Sequence, residues 1–210
     1  MGSTLQYGVT LDDYLRRARE CLDQGRPASL FYAAFELRAG IETRMHEYLH
    51  PHRERVKKKN LGLKVSQLGR ELERVFKRRD RIVRLTFIEP DTGEVIGTLC
   101  HTPVTKRLEK RAERLGEYLH APRIMPLDDP WWREIRECLE RVYRELEEAN
   151  RGTLMGPPLL DPTGRRASLI TEVRGEVERR LGERMKQTGS TIKIDVRYLE
   201  SVTAPDESPR

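Results

Sequence analysis

The segment Ser29-Leu-Phe-Tyr-Ala-Ala-Phe-Glu-Leu-Arg-Ala-Gly-Ile-Glu42 has apolar residues that would cover more than one side of a helix. Pro27 stands just before it, where the first turn of a helix tolerates a proline, and Pro51 must end the helix. A helix that is apolar on several sides has to be covered on several sides. The sequence therefore predicts that this is the central, most buried helix of a mainly α protein.

Five further segments carry the single apolar stripe of a helix that packs on one face. The first begins with a capping box at Thr10-Leu-Asp-Asp13 and ends near Gly25. Two others are introduced by Thr102-Pro103 and Asp129-Pro130, in which an N-cap residue precedes a proline at the first helical position. The helices expected beside the central one are 10–24, 63–76, 103–120, 130–146 and 169–185.

The middle of the chain changes from helical to alternating periodicity. Ile82–Ile88 and Val95–Leu99 flank Pro90-Asp-Thr-Gly-Glu94, a pattern that is typical of a β-hairpin. Residues 192–198 alternate in the same way, and a two-stranded hairpin is marginally stable on its own. We therefore expect the strand at 192–198 to pair with the hairpin.

One domain is the expectation for a chain of 210 residues. It would comprise a helical bundle over residues 8–150, with the hairpin inserted at about 82–99, and an extension over 151–200 packed on the same domain. The extension would contain a Pro- and Gly-rich loop, a helix and a strand. Residues 201–210 are rich in Ser, Pro and charge, and we expect them to be disordered.

Basic residues are concentrated in one segment of the chain. The whole sequence has 40 Lys and Arg against 34 Asp and Glu, whereas residues 53–84 have thirteen against four. This excess indicates a polyanionic partner such as RNA, with a solubilising surface as the alternative interpretation. The side chains expected to contact RNA are Lys57, Lys58, Lys59, Lys77, Arg78 and Arg79.

The cysteines and the hydropathy pattern bear on the compartment. Cys21, Cys100 and Cys138 are odd in number and lack Cys-x-x-Cys spacing, which indicates neither a disulfide framework nor a structural zinc site. No apolar run approaches the length of a membrane span, and the first residues do not resemble a signal peptide. We expect a cytoplasmic protein that has no membrane contact and needs no metal or cofactor.

Two copies of one pattern carry the residues that point most directly to chemistry. Arg44-Met-His-Glu-Tyr-Leu-His50 and Arg114-Leu-Gly-Glu-Tyr-Leu-His120 each contain an Arg, five residues that end in Glu-Tyr-Leu, and a His. A metal-free cleavage of a phosphodiester needs these two side chains, because His moves protons near neutral pH and Arg stabilises a charged phosphate. The alternative is that the pattern recurs because helix C-termini favour an apolar pair followed by a cation.

The first copy also contains a zinc-binding pattern. His46-Glu47-Tyr48-Leu49-His50 satisfies His-Glu-x-x-His, in which two His one helical turn apart bind zinc and the Glu acts as the general base of a metallopeptidase. Pro51 opposes this interpretation, because it ends the helix that should continue past the second His. No motif for a third ligand follows.

The second copy, together with the early helices, resembles the HEPN superfamily, small helical bundles that include many prokaryotic ribonuclease toxins and defence effectors. The signature of that family is an Arg followed after four to six residues by a His, late in the bundle and at a helix end, as for Arg114 and His120. The resemblance spans roughly residues 8–150. Leu115 departs from it, because the family usually has a polar residue directly after the Arg.

The resemblance implies a metal-independent endoribonuclease with Arg114 and His120 as catalytic residues and the 2′-hydroxyl of RNA as nucleophile. Six residues of helix place these two side chains about 120° apart with about 9 Å of rise, so one chain does not bring them together. A homodimer with a shared cleft is therefore expected, and an antitoxin or defence partner protein is possible within such a family. The alternative is a non-catalytic module of HEPN type that binds nucleic acid or protein.

Overall fold

The computed structural model describes residues 7–56, 64–76, 80–120, 129–160, 167–171, 175–187 and 192–199. These residues form a mostly helical structure with a small antiparallel sheet, as the mainly α prediction requires. In chain order the elements are α1 (Leu11–Gln24), α2 (Pro27–Leu49), a short 3₁₀ turn (His50–His52), α3 (Val65–Phe76), β1 (Ile82–Ile88), β2 (Val95–His101), α4 (Lys106–Tyr118), α5 (Asp129–Asn150), β3 (Leu159–Leu160), β4 (Ala167–Ser168), α6 (Glu176–Gln187) and β5 (Lys193–Leu199).

Helix α2 is the centre of the bundle, as predicted from its apolar residues. Helices α1, α3, α4 and α5 all pack against it. Its buried residues include Leu30, Leu37 and Ile41. They lie on more than one side of the helix, since Gly40 and Leu49 are both buried and are about 180° apart at 100° per residue. Burial of this many large apolar side chains is the main favourable contribution to the stability of the bundle.

The first helix begins and ends as predicted. The Thr10 hydroxyl accepts a hydrogen bond from the Asp13 N–H, and the Asp13 carboxylate accepts one from the Thr10 N–H, which completes the capping box. At the other end, Gly25 has a φ of 65°, a left-handed conformation in which glycine carries no steric penalty.

Two predicted helix starts are wrong. Helix α4 begins at Lys106, and its N-cap is Thr105, whose hydroxyl accepts a hydrogen bond from the Leu108 N–H. Thr102, the predicted N-cap, is instead buried and bonded to Ala149 in the last turn of α5 and to Gly152 beyond it. Helix α6 begins at Glu176 instead of near residue 169, because the residues before it form β4 and a backbone pairing with the segment after α5.

The predicted hairpin and its pairing with the last strand are confirmed. The sheet has the order β2-β1-β5, and both pairs are antiparallel. The pairing of β1 with β2 shifts between Phe87 and Ile88, near the turn of the hairpin. The apolar face of the sheet packs on a second, smaller core that includes Leu154 and, from α6, Leu181.

The extension after α5 contacts both cores. The Leu154 N–H donates a hydrogen bond to the Cys100 carbonyl of β2, and the Met155 N–H donates one to the Ile170 carbonyl. Met155 belongs to the main helical core, whereas Leu154 belongs to the core under the sheet. The expectation of a disordered tail at 201–210 lies outside the described residues. Among the helices that the structure describes, none combines the length and the apolar character needed to cross a bilayer.

Candidate functional site

Arg114 lies on the outer surface of α4, with half of its side chain exposed. Its guanidinium donates to the Glu134 carboxylate of α5, with 2.7 Å between Nη2 and Oε1, and it lies 6.0 Å from the centre of the Tyr118 ring. The hydrogen bond with Glu134 raises the pKa of Arg114 above its ordinary value, and Tyr118 adds to the shift. The side chain is therefore accessible but is already held by a carboxylate.

His120 is exposed and lies beyond the end of α4. The backbone closes the helix there, because the Leu119 N–H donates to the Gly116 carbonyl and the His120 N–H donates to the Glu117 carbonyl at 3.4 Å. The predicted helix to residue 120 therefore ends at Tyr118. Both residues of the second copy stand at the surface, at the C-terminal end of one helix.

Exposed apolar side chains occur near the same end of α4. Arg38 of α2 lies directly over Gly116, and Phe35, one turn before Arg38, is 50% exposed. Tyr32 is 66% exposed and Leu119 is 40% exposed. Apolar side chains that stay this accessible offer a surface on which another molecule can pack.

Trp131 and Trp132 lie beneath this end of the bundle. Their rings form an edge-to-face pair with centroids 4.7 Å apart, and both contact Phe31. Tyr118 of α4 packs on Trp131 with ring centroids 6.3 Å apart. Both tryptophans are partly buried and pack against the helical core.

The first copy of the pattern has a different environment. Arg44 is completely buried, and its guanidinium donates to the Tyr48 hydroxyl, to the carbonyls of Ala149 and Gly152, and to the Glu47 carboxylate at 2.8 Å. All of these acceptors belong to the protein itself. Arg44 is thus a structural residue that connects α2 with the end of α5.

Tyr48 completes this cluster. Its hydroxyl lies within hydrogen-bond distance of the carbonyls of Thr102 and Ala149 and accepts from Arg44. Burial raises the pKa of the Tyr48 phenol above its ordinary value. Burial acts to lower the pKa of Arg44, but Tyr48 and Glu47 outweigh it and leave the pKa raised. Both groups therefore keep their protons at neutral pH and hold the cluster together.

The His-Glu-x-x-His pattern spans the end of a helix. His46 lies on α2, whereas His50 belongs to the 3₁₀ turn after it, so the helix does not continue past the second His. Within the described ranges, no three His, Cys, Asp or Glu side chains are grouped so as to hold a metal ion. His46, Glu47 and His50 instead line an open groove of about 850 Å³ together with Met155 and Ile170.

His101 is a titratable residue that the sequence analysis did not single out. It is buried at the end of β2, with its ring centroid 5.1 Å from that of Tyr48 and its Nδ1 3.3 Å from the Leu154 carbonyl oxygen. Burial lowers its pKa to about 4, so the ring is neutral near pH 7. The signal available in the sequence was the alternation of β2, which places His101 on the same face as Leu99.

The six Lys and Arg residues expected to bind RNA, at positions 57–59 and 77–79, lie outside the described residues. The described part of the basic segment nevertheless presents many cations to solvent. Its exposed basic side chains are Arg53, Arg55, Lys64, Arg70, Arg74 and Arg81. Arg74 is held by Glu71, so its charge is partly neutralised.

Comparison of this chain with protein-family models, with curated proteins and with solved structures gave no match. The resemblance to HEPN proteins therefore depends on the motif and on the order of the helices alone.

Proposed function

We propose that this protein is a metal-independent endoribonuclease of HEPN type, in which Arg114 and His120 act on the RNA backbone. The observation that carries the proposal is the difference in accessibility between two Arg and His pairs that share one spacing. Arg44 of the first copy is fully buried and bonded within the protein, whereas Arg114 and His120 are both accessible at one helix end. Of the two copies, the second alone presents both its Arg and its His to a large substrate.

The proposed chemistry uses the two side chains in separate roles. His120 would take the proton of the RNA 2′-hydroxyl, or return one to the leaving 5′-oxygen, because an imidazole exchanges protons near neutral pH. Arg114 would donate two hydrogen bonds to the scissile phosphate and stabilise the negative charge that develops on it. Attack by the 2′-oxygen breaks the bond to the 5′-oxygen and leaves a 2′,3′-cyclic phosphate.

The ion pair of Arg114 with Glu134 is compatible with such a role. Both side chains are at least half exposed, and a surface pair of this kind contributes only about 0–1 kcal/mol. A phosphate can therefore replace the carboxylate at little cost. Until RNA is bound, Glu134 would keep the guanidinium oriented at the end of the helix.

A second copy of the chain would complete the site. Arg114 lies on α4 and His120 beyond its end, so a two-fold axis beside this end would gather two of each into one cleft. The exposed apolar side chains of Tyr32, Phe35 and Leu119 give a second copy a surface to pack on. A partner protein that blocks this end, such as an antitoxin, would inhibit the enzyme.

Cleavage of single-stranded RNA in the presence of a chelator tests the proposal. Arg114→Ala and His120→Ala should each abolish cleavage, and the wild-type products should carry a 2′,3′-cyclic phosphate. His50→Ala is the matched control, because His50 is exposed and occupies the equivalent position of the first copy. Loss of activity on zinc removal, or in His50→Ala alone, would contradict the proposal.

A mixture of the two inactive variants tests the shared cleft. If each protomer supplies one residue to a site, Arg114→Ala mixed with His120→Ala should recover part of the activity, since some sites then contain one intact residue of each kind. No recovery from a mixture that is shown to exchange subunits would contradict a composite site.

The ion pair with Glu134 favours a second candidate, a non-catalytic module that binds RNA. In that case Arg114 serves to join α4 to α5, and the exposed cations of residues 53–84 bind the backbone. Binding should weaken steeply with salt, because each neutralised phosphate releases counterions. Purified protein that binds RNA in this way but never cleaves it would favour the module over the enzyme.

A further inference from the structure

Strand β5 forms one edge of the three-stranded sheet. It pairs with β1 on one side, and no strand within the described ranges pairs with its other side. An edge strand presents unpaired backbone groups that can bind another strand.

The apolar face of the sheet continues onto β5 beyond its cover. Ile194 and Val196 lie opposite Phe87 and Leu85 of β1, and therefore on the same face of the sheet. The two β1 side chains are completely or almost completely buried, whereas Ile194 is 37% exposed and Val196 is 42% exposed. Tyr198 on the same face is 44% exposed. The smaller core thus covers β1 and leaves the β5 side accessible.

The sequence of β5 is complementary to itself when two copies run antiparallel. With Val196 opposite Val196 of the second copy, Ile194 faces Tyr198 of the second copy on the apolar side. On the other side, Asp195 faces Arg197 of the second copy, and Arg197 faces Asp195 of the second copy. Opposite charges across a strand pair stabilise it, and like charges destabilise it. Both faces of the strand therefore match under one two-fold axis.

We propose that β5 pairs with β5 of a second copy, so that two three-stranded sheets join into one antiparallel sheet of six strands. The self-complementary charges favour a second copy over an unrelated strand, because in this register Asp195 and Arg197 both face an opposite charge. In the single chain these two side chains bond to each other, with 2.8 Å between Nε of Arg197 and Oδ2 of Asp195. Pairing would exchange the one contact within each chain for two contacts between the copies.

This interface is separate from the cleft of the proposed ribonuclease. The Lys106 N–H at the start of α4 donates to Asp80, directly before β1, so the sheet adjoins the beginning of that helix. His120 follows its far end, about 18 Å away along the axis at 1.5 Å per residue. The edge of β5 and this helix end are different parts of the chain, so each proposal can fail while the other holds.

Charge reversal in β5 tests the pairing by sedimentation velocity. The wild type should form dimers, or larger species if the α4 end also associates. Asp195→Arg and Arg197→Asp should each weaken self-association through β5 about tenfold or more, because like charges then face each other. The double variant Asp195→Arg with Arg197→Asp should restore it. An equimolar mixture of the two single variants should also associate, since each charge then meets its opposite in the other chain.

Arg16→Asp is the matched control, because Arg16 is an exposed arginine on α1 that also bonds to a carboxylate of its own chain. Its self-association should equal that of the wild type, and circular dichroism checks that every variant is folded. A wild type that stays monomeric at micromolar concentration would overturn the proposal. So would association that the single reversals leave unchanged, or association that Phe35→Asp abolishes while both reversals retain it. Wild-type monomers that bind a β5 peptide no better than a scrambled one would also overturn self-pairing. The edge would then be left for a strand of another protein.

Discussion

Replacement of Arg44 should lower the free energy of unfolding far more than replacement of Arg114, although the two residues begin the same sequence pattern. Arg44 has no exposed surface and donates to two backbone carbonyls, a phenol and a carboxylate. In Arg44→Ala, the Ala149 carbonyl keeps its contacts with Tyr48 and Thr102, but the Gly152 carbonyl loses the only donor described here. A buried polar group without its partner then remains.

The magnitude follows from these contacts. Removal of one member of a buried, charged hydrogen-bonded cluster costs about 3–5 kcal/mol of unfolding free energy. Glu47 is 31% exposed, so water can solvate its carboxylate after the change, and the lower half of that range applies. Arg44→Lys should lie between Ala and the wild type, because an ammonium keeps the charge but cannot reach all of the acceptors.

Urea unfolding followed by circular dichroism measures the difference. Arg114→Ala is the matched control and should change the unfolding free energy by no more than about 1 kcal/mol, as expected for an exposed pair. A loss below about 1 kcal/mol for Arg44→Ala, or equal losses for the two variants, would show that the reasoning about the buried cluster is wrong.

Two further predictions concern buried polar groups near the same cluster. The pKa of His101 is about 4 in the folded state and near 6.5 when unfolded, so stability that is present above pH 6.5 should fall by about 3 kcal/mol as the pH drops to about 4. His101→Gln should reduce this decline in urea titrations at several pH values; an unchanged pH profile would refute the assignment. Thr102→Val should cost more than the roughly 1 kcal/mol expected for loss of the Thr105 N-cap in Thr105→Ala, because Thr102 donates to the Ala149 carbonyl and accepts from a second buried backbone group. Equal losses in thermal unfolding would contradict the buried role of Thr102.

The helical bundle was predictable because its signals are local. The capping box at Thr10, the proline at position 27 and the apolar residues of α2 specify helix ends and burial within a few residues of sequence. The hairpin was predictable for the same reason, since the turn at residues 90–94 and the alternation on both sides are contiguous. The pairing of β5 with β1 was inferred from the weakness of a lone hairpin, which is a physical argument about distant residues.

The wrong helix starts have a common cause in contacts between distant residues. Thr102 has the residue type and the following proline of an N-cap, but its hydroxyl bonds to the Ala149 carbonyl and the Gly152 N–H instead. The residues before α6 are apolar at helical spacing, but backbone pairing with residues 154–155 keeps them extended. No local sequence pattern indicates that Thr102 bonds to residues 149 and 152, or that the segment before α6 pairs with residues 154–155.

The candidate site shows a similar division. The spacing of Arg and His identified both copies but could not rank them by accessibility, because this depends on the helix to which each belongs. Arg44 lies on the helix that all the neighbouring helices cover, whereas Arg114 lies on one at the periphery. The predicted burial of α2 already contained this distinction, since a residue on a helix covered from several sides has few routes to solvent.

The acceptors of Arg44 also impose an order of events on the growing chain. Helix α2 is complete at Leu49, but the carbonyls that bind Arg44 lie 105 and 108 residues after Arg44 in the sequence. At ribosomal rates of about 5–20 residues per second, these carbonyls are synthesised roughly 5–20 s after α1 and α2. During that interval, burial of Arg44 would leave its charge without carbonyl acceptors, so the first two helices cannot close into their final packing. The bundle is therefore completed only after residue 152 has left the ribosome, and fragments that stop before it should remain targets for chaperones and proteases.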